Sequence, residues 1–226
     1  MDIHHQVPSN ETMKKVGWGV FVFFAVAIGC YPLAYLIFDM TQGLLSSKPQ
    51  EVLNNTIWKL QFYQHILLGG IALLTGWSQF NKTWRVKYVR AHRTVGKIYL
   101  IAVLFSGIAG LYIAFFATGG IISSLGFGSL AVAWLFTSIN AYFSIRKKEI
   151  DYHEQWMIRS YALTFAAVML RIWLPTFQIV LGMNFIDAYQ IIAWFCWVPN
   201  VLVAEWIVRA KRRKLMAISN HLSRNI

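Results

Sequence analysis

The chain has 226 residues, of which 57% are hydrophobic and only 13% charged, and its formal net charge is +12. Soluble domains carry about a quarter charged residues, so this composition excludes an ordinary soluble domain and indicates that the bilayer is the solvent. The basic residues lie between apolar runs and not along one face, which argues for membrane topology and against nucleic acid as a partner.

Six apolar runs are long enough to span a bilayer, which takes about 20 mostly apolar residues in a helix. These runs, spans one to six, cover residues 16–38, 58–80, 94–117, 121–145, 156–180 and 187–209. The first run lacks a small-residue cleavage site, so we expect a retained helix and not a signal peptide. The sequence therefore predicts an all-α integral membrane protein, with residues 1–226 forming a single transmembrane domain, a bundle of six transmembrane helices.

Lysine and arginine predict the orientation of this bundle. They precede span one, follow span six and fill the connections between spans two and three and between spans four and five. The largest groups are Lys82, Arg85, Lys87, Arg90 and Arg93; Arg146, Lys147 and Lys148; and Arg209, Lys211, Arg212, Arg213 and Lys214. The positive-inside rule then places both termini in the cytoplasm (N-in/C-in), in the cytoplasmic (inner) membrane of a bacterium. Most of these residues are expected to contact anionic membrane lipids.

Four polar side chains stand at two predicted depths. His92 and His153 lie at the cytoplasmic starts of spans three and five. His65 in span two and Arg171 in span five each lie about 15 residues from the cytoplasmic end, which is about 22 Å along a helix. An inner level and an outer level of polar groups are therefore predicted, and ionisable groups at membrane depth usually face the bundle interior.

Glycines and small residues share the faces of these histidines. Gly69 follows His65 and Gly96 follows His92 by four residues, one helical turn along. Such a bare surface most often serves close helix packing. It also suits a flat ligand such as a porphyrin, whose iron neutral imidazole binds well, and Arg93 and Arg159 could then pair with its propionates.

Two motifs carry a family resemblance over roughly residues 60–180. The stretches His92-Arg93-x-x-Gly96-x-x-Tyr99 and His153-x-x-Trp156-Met157-x-Arg159-Ser160-Tyr161 resemble a family of uncharacterised bacterial multipass membrane proteins. More loosely, the plan is similar to the six-helix cytochrome b561 and ferric-reductase group. That resemblance implies b-type haem held between histidines of spans three and five, the places of His92 and His153. The second histidine pair of that group is absent, because span four has no histidine.

The preferred function is a membrane-embedded, b-type haem-binding electron-transfer protein, a candidate membrane oxidoreductase. His92 and His153 would bind the haem iron, with Arg93, Arg159 and Gly96 around the porphyrin, while His65 and Arg171 would form an outer site for a quinone, another redox partner or a proton path. Three alternatives stay open: a permease in which His65 and Arg171 bind a small anion, a lipid-directed enzyme using the inner histidines as acid and base, and a non-catalytic assembly protein.

Overall fold

The computed structural model of the protein describes residues 10–36 and 43–223. This part of the chain is helical, without a strand, and three 3-10 segments (Tyr31–Leu36, Gly43–Ser47 and Trp77–Phe80) join its α-helices. The α-helices are α1 (Asn10–Cys30), α2 (Gln50–Asn54), α3 (Thr56–Gly76), α4 (Lys82–Lys87), α5 (Val89–Ala114), α6 (Ile121–Arg146), α7 (Ile150–Thr164), α8 (Ala166–Ile179), α9 (Phe185–Phe195) and α10 (Val198–Ser223).

Five of the six predicted spans form helices long and apolar enough to cross a membrane. They are Glu11–Tyr35, Val89–Ala114, Ile121–Arg146, Ile150–Ile179 and Phe185–Lys214; positions 37 and 38 of span one lie outside the described residues. The second span corresponds to α3, which has 21 residues but is more polar because it contains Lys59, Gln64 and His65. The count of six spans and the orientation therefore stay predictions.

The helices of spans three and five extend beyond the predicted apolar runs. Helices α5 and α7 start at Val89 and Ile150, so His92 and His153 lie in the first turns of these helices, at their starts as expected. The span boundaries at 94 and 156 stay predictions, because a helix can continue past the edge of a membrane.

The centre of the bundle is a buried cluster of hydroxyl groups. The Tyr99 hydroxyl on α5 lies 2.6 Å from Ser160 Oγ and 2.9 Å from Thr164 Oγ1, both on α7. From α6, Ser138 Oγ lies 2.7 Å from Ser160 Oγ, and Trp134 Nε1 donates to Thr164 Oγ1 at 2.9 Å. All five side chains are buried. This central hydroxyl cluster therefore satisfies its polar atoms internally and joins α5, α6 and α7.

Two ends of the bundle are distinguished by charge. Glu154 on α7 pairs with Arg85 on α4 at 3.3 Å and with Lys211 on α10. These contacts gather the basic connections at one end, which we call the basic end. At the opposite, far end α5 stops at Ala114 and α6 begins at Ile121.

Substitution of Tyr99 by Phe should destabilise the protein by about 1–2 kcal/mol, because Ser160 and Thr164 each lose a buried hydrogen bond. Thermal unfolding in detergent measures this, with Tyr142→Phe as the matched control, since Tyr142 is 44% exposed on α6. Equal unfolding temperatures for the two variants would contradict a central role for the hydroxyl.

Candidate functional site

The two histidines at the basic end are near neighbours. The carbonyl oxygen of Ala141 lies 2.8 Å from His153 Nδ1. A carbonyl can only accept, so Nδ1 donates, and in the neutral imidazole Nε2 then keeps its lone pair. His92 on α5 lies within electrostatic range of His153, Arg85 and Arg93. The structure thus brings His92 and His153 together, while their role as ligands of haem iron stays a prediction.

Arg159 has a partner inside the protein. Its Nη2 lies 3.1 Å from Glu205 Oε2, its Nε contacts Oε1 of the same carboxylate, and its guanidinium stacks on Trp156 with Cζ 4.7 Å from the ring centre. The fork of Arg159 is therefore already bound to a carboxylate and needs no propionate. Arg93, the other arginine predicted beside the porphyrin, is exposed.

The glycine surfaces face side chains of the protein itself. A Cβ on Gly69 would lie 3.3 Å from Ser106 Oγ, and one on Gly76 only 2.3 Å from the ring of Tyr161. At Gly96 the nearest atom is Gln79 Oε1 at 3.4 Å. These glycines let helices approach closely, which is the more common use of small residues in membrane bundles. The Gln79 side chain thus lies beside the face of Gly96, and the place of Gly96 in a haem site stays a prediction.

His65 on α3 is anchored in the same way as His153. Its Nδ1 lies 2.9 Å from the carbonyl oxygen of Ser106 on α5, and Ser106 Oγ donates to the His65 carbonyl at 2.8 Å. The ring packs so closely on α5 that a Cβ on Gly110 would lie 2.8 Å from Nδ1. Nδ1 therefore donates, and in the neutral imidazole Nε2 of His65 is a hydrogen-bond acceptor.

Arg171 on α8 has no carboxylate partner in the part of the chain that the structure describes. One terminal nitrogen, Nη1, donates to the Ala167 carbonyl at 2.9 Å, and the guanidinium lies over the Tyr31 ring with Cζ 4.7 Å from its centre. The Nε atom is buried without a hydrogen-bond partner. Arg171 is thus a cation that the protein itself compensates only in part.

Tyrosines and His65 surround Arg171. Tyr31, Tyr35 and Tyr189 lie within electrostatic range of the guanidinium, and so does His65. The sequence placed His65 and Arg171 at one depth, and the structure brings them together. Sequence reasoning did not identify the three tyrosines as part of this site, because tyrosines near the ends of spans are common and carry no special signal.

The far end above this site is closed by apolar side chains. Leu45, Trp58 and Phe62 are buried, and Trp58 and Phe62 stack with ring centres 5.2 Å apart. We call these three residues the far-end cap. Tyr35 connects the cap to the site, since its ring lies 5.6 Å from that of Phe62 and its side chain also interacts with Arg171.

Two polar contacts fix the loop that carries Leu45. Ser47 Oγ lies 3.1 Å from Thr118 Oγ1, and Lys48 Nζ donates to the Phe116 carbonyl. Both contacts tie the loop to the segment that follows α5.

The described residues hold no group of three or more His, Cys, Asp or Glu side chains that could bind a metal ion.

A family model described as "Predicted membrane protein (DUF2306)" matches residues 62–208. The match runs from α3 into α10 and includes His65, His92, His153 and Arg171. Comparison with curated proteins and with solved structures gave no match. The expectation of a multipass membrane family is therefore confirmed, and the likeness to cytochrome b561 stays a resemblance.

Lys48 gives the far end a predicted pH dependence. Burial lowers the pKa of Lys48 from 10.5 to about 8. Between those values the unfolded chain holds more protons than the folded one, so stability should rise with pH in that window. The unfolding temperature of the wild type should therefore climb relative to that of Lys48→Met between pH 7 and 10. A difference in unfolding temperature between the two proteins that stays constant from pH 7 to 10 would refute a contribution of Lys48 to the pH dependence.

Proposed function

The chain belongs to the family of predicted membrane proteins named above, and we propose that it binds an anionic ligand at Arg171, as the binding step of a permease. The expected setting is a bacterial cytoplasmic membrane with both termini inside, so that the far end faces outward.

The observation that carries this proposal is the buried, unpartnered Nε of Arg171. An arginine at the centre of a membrane helix costs at least about 2.5 kcal/mol on insertion scales. Stacking on Tyr31 offsets part of that cost, by about 0.5–2 kcal/mol. Elsewhere in the bundle Arg159 is neutralised by Glu205. An anion at Arg171 would supply the missing negative charge and the missing acceptor together.

The surrounding groups favour a particular kind of anion. Arginine binds carboxylate or phosphate oxygens through two parallel N–H groups. The hydroxyls of Tyr35 and Tyr189 can donate further hydrogen bonds, and Nε2 of His65 can accept one from the ligand. The site thus has one positive charge and several neutral polar groups, which matches a ligand of low charge.

Replacing Arg171 by Met should abolish ligand binding without unfolding the protein. Removing an uncompensated buried charge in favour of an apolar side chain is often neutral or stabilising. Thermal unfolding with and without added anions tests both parts, because a ligand that binds the folded state raises the unfolding temperature. Arg146→Met, at an exposed position of the basic end, is the control and should keep the ligand response.

Two results would count against this assignment. One is an unligated Arg171→Met protein that unfolds well below the wild type, which would make Arg171 a structural residue. The other is an anion response that survives in that variant.

A second candidate function is electron transfer through haem at the basic end. It is favoured by the anchored Nδ1 of His153, which leaves Nε2 available, and by the nearness of His92. A bound haem would supply one-electron chemistry, with Arg93 on the exposed side where propionates could lie. Against it stand the Gln79 side chain beside Gly96 and the pairing of Arg159 with Glu205. In this case the Arg171 site would be the place for a quinone or another redox partner.

An optical spectrum decides the haem question directly. If His92 and His153 bind haem b, purified protein from haem-replete cells will show sharp visible bands on reduction with dithionite. His92→Ala and His153→Ala should each remove those bands, whereas His65→Ala should leave them. A colourless wild-type protein would eliminate this candidate and leave anion binding unaffected.

A further inference from the structure

We infer that the anion bound at Arg171 is the head group of an amphiphile, a long-chain carboxylate, which enters sideways from the bilayer past Tyr31. The inference rests on the proposed anion binding at Arg171 and adds the class of ligand and its route.

A ligand that enters from the far end would meet the cap. Leu45, Trp58 and Phe62 are 1%, 2% and 6% exposed, and Tyr35 packs beneath Phe62 beside Arg171. The loop above is held by the contact between Ser47 and Thr118. A water-soluble ligand would have to open this aromatic layer and break those contacts.

At the depth of Arg171, the lateral surface of the bundle includes the partly exposed ring of Tyr31. Tyr31, whose ring covers the guanidinium of Arg171, is 43% exposed, and at membrane depth an exposed side chain faces lipid. Tyr31 also opens the 3-10 segment that follows α1, so the regular helix ends where the cover of Arg171 begins. The ring that lies over the cation is therefore itself partly exposed to the lipid phase.

The charge of the site selects the head group. The described groups within electrostatic range of Arg171 are Tyr31, Tyr35, Tyr189 and His65, with no lysine or second arginine among them. One guanidinium compensates one negative charge, so a monoanionic carboxylate matches better than a dianionic phosphate. A carboxylate that arrives through the lipid carries an apolar tail, which can remain in the bilayer beside the exposed Leu33.

The test uses the full-length protein in nanodiscs of phosphatidylcholine and a spin-labelled stearate as the probe. The wild type should give a motionally restricted signal that empty nanodiscs lack. Oleate should displace the probe, while methyl oleate, which has the same tail but no charge, and acetate, which has no tail, should fail. Affinity should fall at least tenfold in Arg171→Met and stay unchanged in Arg146→Met.

A locked cap tests the route. In a Cys30→Ser background, the pair Ser47→Cys and Thr118→Cys can form a disulfide across the existing contact. Binding of the probe should be the same in oxidised and reduced protein, and loss of binding on oxidation would overturn sideways entry.

The responses to acetate, phosphate and oleate test the class of ligand. Acetate or phosphate that stabilises the wild type in an Arg171-dependent way, with no response to oleate, would overturn the amphiphile and keep anion binding. Absence of any response to all these anions would overturn both.

Discussion

The hydroxyl of Tyr99 connects α5 to α7, and the polar groups at both ends of the bundle lie on or against these helices. It joins α5 to Ser160 and Thr164 of span five in the middle of the bundle. On α5, His92 comes seven residues before Tyr99 and Ser106 seven residues after it. Seven residues are about two turns and about 10 Å, so all three lie on one face. A contact at the centre therefore sets the relative position of the histidines at one end and of the His65 site at the other.

The two arginines of span five differ in how far the protein compensates their charge. Arg159 is forked to Glu205 and stacked on Trp156, so its charge is neutralised at the edge of the membrane. Arg171 lies further along the same span with one backbone acceptor, one aromatic ring and a buried donor left over. A protein selected for stability alone would avoid such a group, because a buried charge without a partner costs free energy. That cost is the physical basis for assigning ligand binding to Arg171.

Much of the framework could be predicted from the sequence. Apolar run length predicted six spans, and five of them are helices long and apolar enough to cross a membrane. The rise of a helix placed His65 and Arg171 at one depth, and the two lie within electrostatic range of each other. The neighbour of Gly96 could not be predicted in this way, because periodicity shows that a helix face lacks side chains but does not show which other residue packs against it. Here Gln79, from the end of span two, comes within reach of that face.

The sequence by itself determined the membrane class and the helical class, and it predicted the depths of the polar groups, because composition and the rise of a helix are local properties. Only the tertiary structure decided the partners. Tyr31 covers Arg171 across 140 positions of sequence, and Arg159 meets Glu205 across 46. These pairings depend on which helices are neighbours and how each is rotated about its axis. That is settled by the packing of whole faces against one another, which no single stretch of sequence contains.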